Sequence, residues 1–353
     1  MSDIIEELLA AVSDACAKYS AADAVTANPA GGWNSQLWAA LEQIGVTTVS
    51  VAEERGGAGG DVATAVAVLE VLGQHSANVP LAETALLAGW LLADVDAGLP
   101  DGPMTACLAG PDIRIEPTTG GLAVSGAIAR VPWARCVDHV VVLDEHHVLR
   151  LQRGDFEVDE GTNLAGEPRD DVLIATTVPS DRIHRIPAES GVSVQGFHNR
   201  AALARAALSS GAARRALELS ITYAGEREQF GRPIAKFQAI QQHLASMAAE
   251  TLLSKVAVEA AALAIDEGAD AADTTVAGAK IVSGQAAGLV SALAHQIHGA
   301  LGYTDEHTLR LSTTRLWAWR DEAGNEEHWS VALGQRALSA GSAGLWQLVT
   351  GTR

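Results

Sequence analysis

Three residue types able to hold a nucleotide lie close together within residues 223–242: Arg227, Phe230 and Gln238. A guanidinium offers pyrophosphate a fixed fork of donors, and an aromatic ring can lie on an adenine or flavin face. Gly231 and Pro233 sit among them and interrupt the helical pattern on either side, because glycine loosens the backbone and proline lacks an N–H. The run therefore reads as a tight helix–loop–helix elbow. The same residues also fit an ordinary helix hairpin with a charged surface. Cysteine chemistry is not supported: Cys16, Cys107 and Cys136 are widely spaced and form no Cys-x-x-Cys pair, so neither a disulfide framework nor a zinc site is expected.

Long Ala/Leu-rich segments must position the elbow. Leu203–Tyr223 leads into it, and residues 239–267 leave it with Ile240, Leu244, Met247, Thr251 and Val258 at helical spacing. Residues 273–298 follow, with Val276, Ala279, Ser283, Val290 and Ile297 on one stripe. Leu309–Trp319 and His328–Ala340 complete an expected antiparallel bundle over 196–353. The first hundred residues also read as helical: 3–20, Ser35–Ile44, Val62–Leu72 with Asp61 as its cap, and Leu81–Ala93 after Pro80. The glycine-rich run 51–60 reads as a loop, and without a closing Gly-Lys-Ser/Thr it is not a P-loop. Between these helical parts, over 101–195, short β-branched runs alternate with turn residues: Ile113–Glu116, Leu122–Ser125, Val137–Leu143, His147–Leu151 and Val172–Val178. The fold class is mainly α with a central antiparallel β domain.

At 353 residues the chain can bury a large core. Its net charge of −19 argues against a nucleic-acid partner, which needs clustered Lys and Arg. Residues 85–93 are the longest apolar run, short of the ~20 residues a bilayer demands. No basic leader opens the chain. No membrane span and a cytoplasmic location are the expectations.

Three motifs in order give the chain a family resemblance. Residues 53–57, Glu-Glu-Arg-Gly-Gly, resemble the Pro-Glu-Glu-Tyr-Gly-Gly loop of acyl-CoA dehydrogenases. Arg227 to Ile240 resemble that family's R-x-x-F-G-x-x-I elbow with its Q-A-I tail. Gln296 to Tyr303 resemble its Q-x-x-G-G-x-G-[FY] turn. The resemblance implies a helical N-terminal domain over 1–100, a barrel-like middle domain and a four-helix bundle. It implies FAD bound between middle domain and bundle, an acyl-CoA substrate, and an electron-transfer flavoprotein or similar acceptor. Carried over, Arg227, Phe230, Gln238, Gln296, His298, Gly299 and Gly302 would contact the FAD of a neighbouring subunit. Glycines let backbone N–H groups approach phosphate or ribose, although Gly299 and Gly302 also suit a plain helix end, and His298 also suits packing or a helix-end partner.

The family's reaction is α,β-desaturation, in which a desolvated carboxylate takes the α-proton while hydride leaves for the flavin. The resemblance places that base at Glu322, with Asp321 as near competitor; Asp321, Glu322, Glu326 and Glu327 would equally make an acidic solvated loop. The family's second base position falls on Ala201, and Asn199 and Ala202 stand where an Asp and an Arg for the substrate are usual. Residues 108–112 replace the Thr-Glu-Pro loop, and Val131-Pro-Trp133 replaces the flavin-facing Trp motif. Such a chain resembles the short subunit of actinobacterial α2β2 heteromers known in steroid side-chain breakdown, whose longer paralogue carries the base. A self-sufficient homo-oligomer using Glu322 and a flavin-free scaffold remain as rivals.

Overall fold

The computed structural model describes residues 3–20, 33–269, 271–304 and 306–350. The chain is mainly helical with a central β section, and its contacts fall into two compact units.

One unit comprises Lys18–Ala65 and Asn78–Ala201. Helix α2 (Ser35–Ile44) begins where Asn34 accepts the Leu37 N–H at 2.9 Å and stops at Gly45, whose left-handed backbone returns its N–H to Leu41 and Glu42. The expected helix over 81–93 is wider than an α-helix for half its length. Ala82–Ala88 is a π-helical segment, and α4 (Gly89–Asp94) follows. The Gly89 N–H reaches back to Thr84, and Thr84 Oγ1 both donates to Met104 O and accepts the Met104 N–H. Strands β1 (Met104–Leu108), β4 (His139–Leu143), β5 (His147–Gln152) and β8 (Ile183–Arg185) form one sheet in the order β1-β4-β5-β8. Strands β2 (Arg114–Thr118), β3 (Gly121–Pro132), β7 (Arg169–Pro179) and β6 (Phe156–Asp159) form a second, in the order β2-β3-β7-β6.

Side-chain alternation explains both sheets. Val140 and Val142 of β4 join Val124, Ile128, Val172 and Ile174 in a core shared by the two sheets. Val141 and Leu143 point the other way, onto Leu87, Leu91 and Leu92. The first sheet is thus covered on both faces and β4 is continuously apolar over Val140–Leu143; β7, in the second, alternates buried and exposed. Pairing is antiparallel except between β1 and β4, which run parallel.

The other unit comprises Met1–Ala17, Val66–Ala77 and Ala202–Arg353. It holds most of α1 (Asp3–Tyr19), and it takes in parts of α3 (Val62–Gln74) and α5 (Val194–Glu226). Asp61 caps α3 as expected, accepting the Thr64 N–H at 2.7 Å. Where α3 meets α5, a Cβ on Gly211 would stand 1.9 Å from Glu70 O and one on Gly73 2.1 Å from Leu208 O, so the backbones touch directly. Then come α6 (Gln238–Asp266), α7 (Ala272–His298), α8 (Leu309–Asp321) and α9 (Glu326–Thr350), the last kinked at Gly341. The expected α7 stripe is the buried one: Val276, Ala279, Ser283, Val290 and Ile297 are all inside. Among the described residues, Ala272–Tyr303 is long and apolar enough to cross a membrane. Its apolar stripe is this bundle core.

Candidate functional site

The elbow is a β-hairpin rather than an irregular loop. Helix α5 ends as the Arg227 N–H returns to Tyr223 O, and Ile234 N–H then closes onto Arg227 O at 2.8 Å. Strands β9 (Glu228–Gln229) and β10 (Arg232–Pro233) pair antiparallel across a two-residue tip. Both tip residues, Phe230 (φ 53°) and Gly231 (φ 76°), are left-handed, the geometry that matches strand twist. Glycine adopts it freely, but a phenylalanine there is strained by about 1–3 kcal/mol. The Phe230 ring is 91% exposed and meets Phe237 edge-on at 6.1 Å. Arg232 lies over Phe237 at 4.3 Å. Arg227 and Gln238 are exposed, and among the described residues their side chains have no hydrogen-bond partner.

The glycine turn closes α7. Gly299 (φ 61°, ψ −144°) returns its N–H to His295 O and opens a 3-10 turn, Gly299–Tyr303. Gln296 and Gly299 are exposed, and a Cβ on Gly299 would meet nothing. Gly302 is buried: a Cβ there would lie 3.1 Å from His295 Nδ1, His298 Cβ and Leu309 Cδ2. His298, expected to face the ligand, is buried beneath the turn. Its Nδ1 lies 2.8 Å from Ala294 O; a carbonyl only accepts, so Nδ1 carries the proton.

What joins hairpin and turn escaped the sequence reading. Tyr223, one helical turn before Arg227, stacks on His298 at 4.5 Å, and His307 packs against both at 4.6 and 6.3 Å. Behind them His295 is stacked between Tyr303 at 4.0 Å and Trp317 at 5.5 Å, its Nε2 3.0 Å from Thr313 Oγ1. Burial pushes His295 and His298 below the ordinary imidazole pKa; for His307, Arg215 adds to burial in the same direction. His295 Nδ1 and His298 Nε2 are buried without a partner among the described residues. Histidines at aromatic spacing around a turn were the available signal, but spacing alone does not say which rings meet.

The acidic run sorts itself. Arg205 Nε donates to Glu322 Oε2 at 2.6 Å, both side chains largely buried. Glu326 takes Arg320 Nε at 2.9 Å. Asp321 and Glu327 are exposed. Lys280, 2% exposed, donates to Trp319 O and Arg320 O at the end of α8, and burial pushes its pKa down to about 8. In the other unit Asn199 is buried and accepts from Gln195, and Ala201 lies half-buried beside an apolar core. Trp133, in a left-handed backbone, is also buried.

Helices, a two-sheet β section and a bundle of long helices in that order make the acyl-CoA dehydrogenase fold. The ChsE4–ChsE5 complex from Mycobacterium tuberculosis superposes with TM-score 0.86, at 22% identity over 97% of this chain and 98% of that one. The structure of the Tcur3481–Tcur3483 steroid acyl-CoA dehydrogenase variant gives TM-score 0.83 at 22% identity over 96% and 98%. Residues 2–94 match the family's N-terminal domain and 192–327 its C-terminal domain. Acyl-CoA dehydrogenase IpdE2 of M. tuberculosis is 31% identical over 308 residues, covering 85% of this chain and 86% of that protein. The chain belongs to the acyl-CoA dehydrogenase family.

FAD is that family's cofactor, and the residues present fit it. Among the described residues the side chains of Arg227, Gln238 and Gln296 have no hydrogen-bond partner, so Arg227 offers donors for phosphate and the two amides offer polar edges, and open space at Gly299 lets backbone come close.

Proposed function

We propose that this chain is a subunit of an FAD-dependent, cytoplasmic acyl-CoA dehydrogenase, and that it lends its hairpin and glycine turn to a flavin at the interface with a longer paralogue in an α2β2 assembly. The observation that carries this is the set of outward donors Arg227, Gln238 and Gln296, without partners among the described residues, on two turns tied together by the Tyr223–His298–His307 stack. Arg227 would take phosphate, Phe230 a ring face, Gln238 and Gln296 polar edges, and Gly299 and Gly302 would shape the close approach. When bound, FAD supplies the hydride acceptor.

The proton is the partner's task in this reading. Glu322 is held on Arg205, and a carboxylate that must leave a guanidinium to take a proton is a poor base. The positions around Asn199 and Ala201 supply no carboxylate in its place. The substrate class to test first is a steroid-derived acyl-CoA, since the Tcur3481–Tcur3483 relative is a steroid acyl-CoA dehydrogenase. The acceptor would be an electron-transfer flavoprotein.

The experiment is expression alone and with the longer paralogue, followed by flavin absorbance and acyl-CoA oxidation. FAD should be retained only on co-expression. Arg227→Ala should weaken it about 10- to 100-fold, as losing a charge-assisted hydrogen bond worth ~1.5–3 kcal/mol implies. Glu322→Gln should leave turnover of the complex in place. FAD on the lone chain, with turnover abolished by Glu322→Gln, would establish a self-sufficient enzyme instead. Unchanged flavin content in Arg227→Ala would leave a scaffold.

A further inference from the structure

We infer that His298, together with Tyr223 and His307, is a positioning set: stacked as neutral rings, they hold the root of the hairpin against the glycine turn, so that acid loosens the chain's hold on its flavin nucleotide. The inference rests on the interface reading above, and it gives His298 an indirect role in place of direct contact.

The geometry is specific. Tyr223 belongs to the last turn of α5, which Arg227 follows directly, and His298 is the residue before Gly299. Their rings lie nearly parallel, 22° apart at 4.5 Å, and His307 closes the cluster from the segment before α8 at 4.6 Å, 60°. His298 Nδ1 is committed to Ala294 O, and its Nε2 is buried with no acceptor among the described residues. A proton added to Nε2 would therefore be a buried donor without a partner, a costly arrangement. The groups facing the cluster do not offset it. His295 lies one turn away on α7, Tyr303 stacks on His295, and Arg215 on α5 acts on His307. Glu218, the carboxylate beside that arginine, is shared between Arg214 and Arg215. Burial, His307 and His295 all disfavour the His298 cation, and only the Ala294 carbonyl favours it.

The direction follows. At and above the ordinary imidazole value of about 6.5 the rings are neutral and the turn is held; as pH falls below it, proton uptake is satisfied only by opening the stack. FAD affinity of the co-expressed complex, read by flavin fluorescence, should fall by up to about 10-fold within one pH unit below that value. His298→Phe keeps the stack and cannot charge, so it should hold FAD at neutral pH and lose most of the acid limb. Tyr223→Phe should behave as wild type, whereas Tyr223→Ala should weaken FAD at every pH. His307→Phe, at a half-buried position, gives up the Leu309 N–H that His307 Nδ1 accepts at 3.1 Å, so it should shrink the acid limb partly with a small loss of stability. An acid limb unchanged in both His298→Phe and His307→Phe, or full FAD affinity in Tyr223→Ala, overturns the inference. Arg227→Ala separates it from its premise: undiminished FAD binding there at pH 8 refutes the interface reading, while weakened binding with an unaltered acid limb in the histidine variants refutes only the positioning role.

Discussion

Lys280 shows how burial can outweigh neighbouring charge. Glu322, Glu326 and Asp321 favour its ammonium, yet desolvation dominates and its pKa falls from 10.5 to about 8. Above about 10.5 the group is neutral folded or unfolded. Between there and 8 the unfolded chain holds a proton that the folded chain does not, so stability drops as pH falls across that window and is flat below it. The gap corresponds to on the order of 3 kcal/mol. Urea unfolding of wild type and Lys280→Met should therefore diverge, wild type gaining relative to the variant as pH is raised from 8 to 10. A constant difference would show that Lys280 keeps its proton through the helix-end carbonyls of Trp319 and Arg320. Gly302 gives a second residue-scale prediction. Alanine there meets three atoms at 3.1 Å, two of them on His295 and His298, and should cost about 1–3 kcal/mol by unfolding. That cost should come with weakened FAD, whereas a merely tight packing site would leave the flavin alone.

At the scale of elements, the hairpin carries a left-handed, 91% exposed Phe230 at its tip. Asparagine followed by glycine is the preferred tip for such a turn. Phe230→Asn should therefore leave the melting temperature equal or higher, relieving about 1 kcal/mol of backbone strain, and should weaken FAD in the complex. Unchanged FAD affinity would mean the ring does nothing for the nucleotide. Elements were legible where local chemistry decides them. Asp61 marks a helix start, the apolar face of Ser35–Ile44 marks another helix, and Val137–Leu143 shows a strand because the first sheet is buried on both faces. Strand β1, Met-Thr-Ala-Cys-Leu, carries little β-branching and owes its place to a parallel neighbour distant in sequence. Strands β6 and β8 are too short to show a period. The π-helical stretch is fixed by Thr84 meeting β1, which no local pattern records. Gly231 and Pro233 announced a break in the helix, but whether hairpin or loop depends on backbone angles at Phe230. Arg227, Gln238 and Gln296 were named from the motifs; Tyr223, His307 and the Glu322–Arg205 pair form only when distant helices pack.

At the scale of the whole molecule, α6 presents an outward stripe that the described residues leave uncovered. Leu252, Val256 and Leu263 are each more than half exposed, and exposed Ala245, Ala249 and Ala260 continue the face at helical spacing back to Gln238. A contiguous apolar face of this kind marks an interaction surface, and here it begins at a residue assigned to the flavin. The occupant consistent with the interface reading is the longer paralogue, since covering this face brings a second chain beside Gln238. Leu252→Glu with Val256→Glu alters only solvent-facing positions, so the circular dichroism and unfolding of the lone chain should stay within about 0.5 kcal/mol per site of wild type. Co-purification with the paralogue should be lost, and bound flavin with it, because burying two unpaired carboxylates in an interface is costly. A lone wild-type chain that dimerises through this face, with the double variant monomeric, would make the occupant a second copy. A double variant that still co-purifies with full flavin would show that the stripe takes no part in the flavin interface, and the α2β2 reading would then need another surface that reaches Gln238.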